Sequence, residues 1–186
     1  MSARRTAGRG WSIPLLVIGL GCGCQGEVIP TRPLSPSVAP ELFAPPRANF
    51  ELVADALQVS CGTLDCHGQR GRNLRLFGAR GLRLDAAATP AEGRTTPAEY
   101  EASYWSLVGL EPELLSDVIA AGGADADRLS LVRKMRGSER HKGGQLATAG
   151  DELDRCLRAW LAGQIDAEAC RSAARPTRPG DPPADP

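Results

Sequence analysis

The chain has 186 residues, with 22 Lys and Arg against 22 Asp and Glu, and aromatic residues make up only 4% of it. A balanced formal charge gives no electrostatic footprint for a polyanion, which argues against nucleic acid as a partner. The length suits one hydrophobic core once proline-rich ends are set aside.

At the N-terminus, Arg4, Arg5 and Arg9 precede the apolar run WSIPLLVIGLG, which ends in small residues and in Cys22 and Cys24. A basic start followed by a short apolar core reads as an export signal, and the run is well short of the roughly 18 residues needed to span a bilayer. The Leu-Gly-Cys ending resembles the lipobox of bacterial lipoproteins. That resemblance implies a signal over residues 1–22, with Cys22 acylated and Cys24 as the alternative, and a mature chain tethered on the periplasmic or surface side of a bacterial membrane. Removing the signal takes three arginines with it and leaves the remainder mildly acidic. Residues 23–47 carry frequent prolines, which fix φ and remove backbone donors, so an extended semi-rigid tether is expected. Residues 174–186, again proline-rich and poor in apolar side chains, read as a disordered tail. One domain is expected over residues 48–173.

Within it the periodicity is helical. Asn49 can cap a helix whose apolar residues Phe50, Val53, Ala54 and Leu57 fall on one face and run into Cys61. The segment NLRLFGARGLRLD alternates only briefly and is broken by glycines, so irregular extended turns are expected there. Thr96-Pro97-Ala98-Glu99 has the form of a capping box with proline at the first helical position, opening a helix through Tyr100, Tyr104 and Leu107. A further helix is expected from Pro112 to Ala121, closed by Gly122, with Glu111, Glu113 and Asp117 on its solvated side. Leu129, Val132 and Met135 suggest a short helix ended by Gly137. For the last helix, Thr148 is the expected cap, Leu153, Leu157, Trp160 and Leu161 the buried stripe, and Gly163 the stop. The expected fold class is mostly α.

The remaining cysteines carry the chemistry. A bridge between Cys156 and Cys170 would close a 15-residue loop, contributing about 3 kcal/mol in the chain-entropy model. Cys61 and Cys66 could form a second disulfide in an oxidising compartment. Together with His67 and His141 they could also ligate zinc, although adjacent Cys66 and His67 suit one tetrahedral ion poorly. A third reading uses His67 directly: a covalently attached haem needs two thiols for its vinyl groups and an imidazole for its iron, the usual signature being Cys-x-x-Cys-His.

The run CGTLDCHG resembles the Cys-x4-Cys-His variant of that signature found in some multihaem c-type cytochromes. The order of a helix at residues 50–60, a glycine-containing loop at 137–147 and a helix at 149–162 resembles a class I-like monohaem cytochrome c. The resemblance implies a small helical domain with its N- and C-terminal helices packed together, one haem c bound through Cys61, Cys66 and His67, and one-electron transfer to redox partner proteins rather than enzymatic catalysis. It also implies a second axial ligand. His141, in the polar loop SERHKGGQ, is expected to fill that role, with Met135 as the runner-up. Loss of a methionine ligand would lower the reduction potential. Arg72, Arg75 or Arg80 could neutralise a haem propionate. The competing expectation is a haemless envelope lipoprotein, a structural or binding module in which both cysteine pairs are disulfides.

Overall fold

The structure, a computed structural model, describes residues 41–90 and 92–176. Cys22, Cys24, most of the expected tether and residues 177–186 lie outside the described residues. The described chain is mostly helical, with α1 (Phe50–Cys61), α2 (Pro97–Val108), α3 (Pro112–Ala120), a 3-10 turn (Ala126–Arg128), α4 (Ser130–Met135), α5 (Glu152–Leu161) and α6 (Ala167–Ala173). Among the described residues the sole β feature is an isolated bridge between Phe77 and Leu82, and no helix is long and apolar enough to cross a membrane.

Helix α1 buries the expected stripe of Phe50, Val53, Ala54 and Leu57. Its start differs from expectation. Asn49 adopts a left-handed conformation at φ 65° and makes no side-chain cap, a backbone state that asparagine tolerates better than most residues. The amide of Leu52, which a capping side chain would take, donates to the Asn49 carbonyl at 3.1 Å, and that of Phe50 to the Arg47 carbonyl at 3.1 Å. Helix α2 has the full capping box, in which Glu99 N donates to Thr96 Oγ1 at 3.3 Å and Thr96 N donates to Glu99 Oε2 at 2.8 Å. Gly122, at φ 65°, follows α3, and Gly137, at φ 74°, follows α4; both occupy the left-handed region that glycine enters without steric cost. Helix α5 begins one turn later than expected. Asp151, not Thr148, is its cap: its carboxylate accepts from Asp154 N at 2.9 Å, while Thr148 N donates to Asp151 at 2.6 Å.

Helix α6 was not expected from the sequence. It is seven residues long, capped by Asp166, and joined to α5 by the Cys156–Cys170 disulfide, as the cysteine spacing suggested. Helix α1 packs on both α5 and α6, and also meets α2. The centre of this packing is aromatic: the Phe50 ring lies 5.2 Å from both Tyr104 and Trp160, and edge-to-face with the former, a geometry the ring quadrupoles favour. The polar ends of the two larger rings hold the preceding chain, with Tyr104 Oη donating to the Pro45 carbonyl at 2.8 Å and Trp160 Nε1 to that of Pro46 at 2.7 Å.

The irregular stretch between α1 and α2 is anchored by a buried ion pair. Arg83 Nε donates to Glu99 Oε1 at 2.7 Å, and Leu84 N reaches the same oxygen at 3.1 Å. The other Arg83 nitrogens donate to the backbone carbonyls of Glu92 and Arg94. Glu99 thus closes a capping box and pins the loop at once. Glu111 also departs from expectation: although Glu113 and Asp117 are solvent-exposed, its carboxylate accepts from both Ser130 N (2.8 Å) and Ser130 Oγ (2.6 Å), tying α3 to the start of α4.

Candidate functional site

The site starts where α1 stops. Cys61 is buried on the last turn, its Sγ donating to the Leu57 carbonyl at 3.0 Å. The next residues fold into a tight loop in which Cys66 N and Gly68 N both donate to Thr63 O at 2.9 Å. His67 N then donates back to the Cys61 carbonyl, also at 2.9 Å. That last bond decides how the long spacer behaves. The four residues between the cysteines are looped outward, with Leu64 49% exposed at the tip, while Cys61 and His67 stay hydrogen-bonded neighbours.

Close backbone packing holds the loop. A Cβ on Gly68 or on Gly81 would run into the carbonyl of Gly62. These glycines are therefore needed for proximity rather than for an unusual φ. Gly68→Ala is expected to destabilise the domain by about 2 kcal/mol, the cost of forcing backbone apart in a packed region. Urea denaturation of the variant checks it; an unchanged midpoint would mean the loop has room to spare.

His67 Nδ1 lies 3.0 Å from the Leu74 carbonyl. An imidazole that donates from Nδ1 to a carbonyl keeps Nε2 as a bare acceptor in a fixed ring orientation, the form in which histidine ligates metals. Burial lowers the His67 pKa, and the positive charges of Arg72, His141 and Lys134 push the same way, against the opposing pull of the Leu74 carbonyl. The neutral ring is thus the favoured one.

His67 and His141 face a common cavity. It measures about 440 Å³ and is walled by leucines, among them Leu57, Leu74, Leu131 and Leu153, with Cys61 and Met135 also lining it. A smaller lobe of about 190 Å³ shares Cys61, His67 and His141 and adds Cys66. The sequence-derived residues Cys61, Cys66, His67 and His141 are therefore gathered around one space, and the runner-up Met135 is on its wall. Met135 is only 4% exposed, and its carbonyl accepts from Leu146 N and Ala147 N, folding the 137–147 loop back over α4. In that loop His141 Nδ1 is buried and has no hydrogen-bond partner, an arrangement that costs free energy unless something else satisfies the ring.

Cys61 and Cys66 are free thiols. Burial, helped by the nearby Cys66, pushes the Cys61 thiol up to about 12, which keeps it protonated at neutral pH and unsuited to act as a thiolate nucleophile. Among the described residues no three His, Cys, Asp or Glu side chains gather closely enough to hold a metal ion, so the four-ligand zinc set is not assembled in this arrangement.

Arg72 lines both lobes, and its Nε donates to the Cys66 carbonyl at 3.2 Å. Arg75 lies instead in a neighbouring cleft, and Arg80 lines neither lobe. The cation that sequence reasoning missed is Lys134, which lines both lobes while pairing with Glu139 at 3.2 Å. It sits next to Met135 in α4, and no motif marked it. No family model matches the chain, nor does any curated protein or solved structure.

Proposed function

We propose that this chain is a membrane-anchored carrier of single electrons, in which Cys61 and Cys66 would hold one c-type haem and His67 and His141 would ligate its iron, and that it works as a relay rather than an enzyme. The observation that carries the reading is the convergence of the Cys61 thiol and two imidazoles on one leucine-walled cavity, whose volume falls within the usual range for bound small molecules, with Cys66 lining the adjoining smaller lobe. The haem supplies a one-electron iron couple whose potential the protein sets through its ligands and surroundings. The residues of the chain do the rest. His67 is oriented by Leu74, the leucines give the cavity an apolar wall, and Arg72 and Lys134 bring positive charge to a space that would receive carboxylate groups. The orphaned Nδ1 of His141 belongs to a ring with no other role among the described residues. Met135 as second ligand is the other reading with an observation behind it, since its side chain is on the same wall.

The lipid anchor at Cys22, or at Cys24, and the periplasmic or surface location belong to this proposal and rest on the sequence. So do the redox protein partners. The competing function, a haemless lipoprotein braced by two disulfides, requires Cys61 and Cys66 to be joined; among the described residues the disulfide is Cys156–Cys170, and Cys61 and Cys66 are free thiols. Protein produced in a host with the cytochrome c assembly system is expected to be red, with a haem absorbance that acid extraction does not remove. Colourless protein would end the electron-carrier reading.

A further inference from the structure

From Cys66 to Leu84 the sequence contains five arginines and no Asp or Glu. Arg83 is neutralised by Glu99. Among the described residues, Arg70, Arg72 and Arg75 have no carboxylate within ion-pair distance, whereas Arg133, Arg136 and Arg155 each pair with an acid. Arg80 is likewise without an ion pair among the described residues and lies elsewhere, whereas Arg70, Arg72 and Arg75 share one place. They line a cleft of about 580 Å³ whose other walls include Asn73, Gly109 and Leu110.

This cleft adjoins the cavity described above, because Gly71, Arg72, Asn73 and Leu110 line both. The Arg72 guanidinium is held on the carbonyls of Cys66 and Asp65, so it is fixed at the boundary. Arg70 and Arg75 are solvent-exposed, and their side chains make no hydrogen bond to other described residues. Three like charges on a concave surface repel one another, and that repulsion is relieved when an anion enters. The planar fork of a guanidinium matches carboxylates and phosphates alike, so the shape of the surface decides between them. A flat bilayer surface cannot follow a concave wall, but a protruding acidic segment can.

We infer that the Arg70/Arg72/Arg75 cleft is the docking surface for an acidic patch on a protein partner. The inference rests on the electron-carrier reading for its purpose, since a partner seated there would lie against the edge of the cavity, but not for its physics. Its test is equilibrium binding, which needs no electron flow. A fluorescently labelled hexaglutamate peptide would be titrated with the full matured chain at low salt, alongside vesicles of an anionic phospholipid. The expected result is that Arg70→Glu with Arg75→Glu weakens peptide binding about tenfold, while Arg171→Glu with Arg175→Glu, an equal change in net charge at exposed positions in and just after α6, leaves it within about twofold. Three results would overturn the inference: no measurable peptide binding, equal weakening by both pairs, or vesicle binding that depends on Arg70 and Arg75 more than peptide binding does. Colourless protein that still shows the expected peptide pattern would remove the electron-carrier reading and leave the docking surface standing.

Discussion

Once the protein has been matured with its haem, His141→Ala is expected to let the ferrous form bind carbon monoxide readily, while Met135→Leu leaves it as resistant as the parent. The iron would be open to a small ligand only where a side chain that ligates it has been removed. His141 is the better candidate because its ring is brought to the cavity with a buried nitrogen unsatisfied, whereas Met135 already has a structural task at the end of α4, where it is almost completely buried. Leucine is the appropriate replacement at 135, since a volume-conserving swap costs less than about 1.5 kcal/mol and truncation to alanine would cost more through the cavity it leaves. Carbon monoxide binding in Met135→Leu and not in His141→Ala would reverse the ligand assignment and leave the attachment site untouched.

The largest effect on stability is expected at Glu99, and it does not depend on any cofactor. Glu99 is 1% exposed and accepts from Arg83, Leu84 and Thr96 together. Glu99→Ala would leave those buried donors without their acceptor, and a loss of about 3 kcal/mol is expected, as for other broken buried pairs. Burial alone would raise the Glu99 pKa. The bonds from Arg83, Thr96 and Leu84 outweigh it and bring the carboxyl down to about 2. A folded pKa below the unfolded one gives stability that is complete above the unfolded value and is lost as pH falls through the folded one. The domain should therefore weaken between about pH 4.5 and about pH 2, and Glu99→Gln should be weaker at neutral pH yet flatter across that window. Urea midpoints measured from pH 7 downward check both statements. A variant as stable as the parent at neutral pH would mean that the ion pair is incidental.

Much of the architecture could be read from the chain because its helices announce themselves locally. The Thr96–Glu99 box, the apolar stripe of α1 and the glycines after α3, α4 and α5 act through bonds and sterics within a few residues of themselves. What stayed hidden depends on distant partners. Helix α6 is too short for a hydrophobic period to show, and packing with α1 and α5 stabilises it. Asn49 looked like a cap because its type fits, but its left-handed backbone leaves the side chain unused, and the third helical amide, Leu52 N, donates to its carbonyl. The shift of the α5 cap from Thr148 to Asp151 is a choice between two good capping residues three positions apart, which sequence alone does not make.

The candidate site shows the same division. Cys61, Cys66, His67 and His141 were found by type and spacing, and the structure gathers them. The consequence of the long spacer was not legible, since it turns on the His67-to-Cys61 backbone bond and on the glycines packed against Gly62. Lys134 was missed because a lysine on a short helix carries no signature. Glu111 was misread for the opposite reason: a carboxylate near a helix start is usually solvated, and only the approach of Ser130 gives it partners.

The most direct test is the mass of the tryptic peptide spanning residues 48–70, which contains Cys61, Cys66 and His67. In protein matured by the cytochrome c machinery and digested without reduction, that peptide is expected to carry the added mass of one haem. If it is found two hydrogens lighter than the reduced peptide, with Cys61 joined to Cys66, or found with both thiols unmodified, the haem and the electron-transfer function fall together.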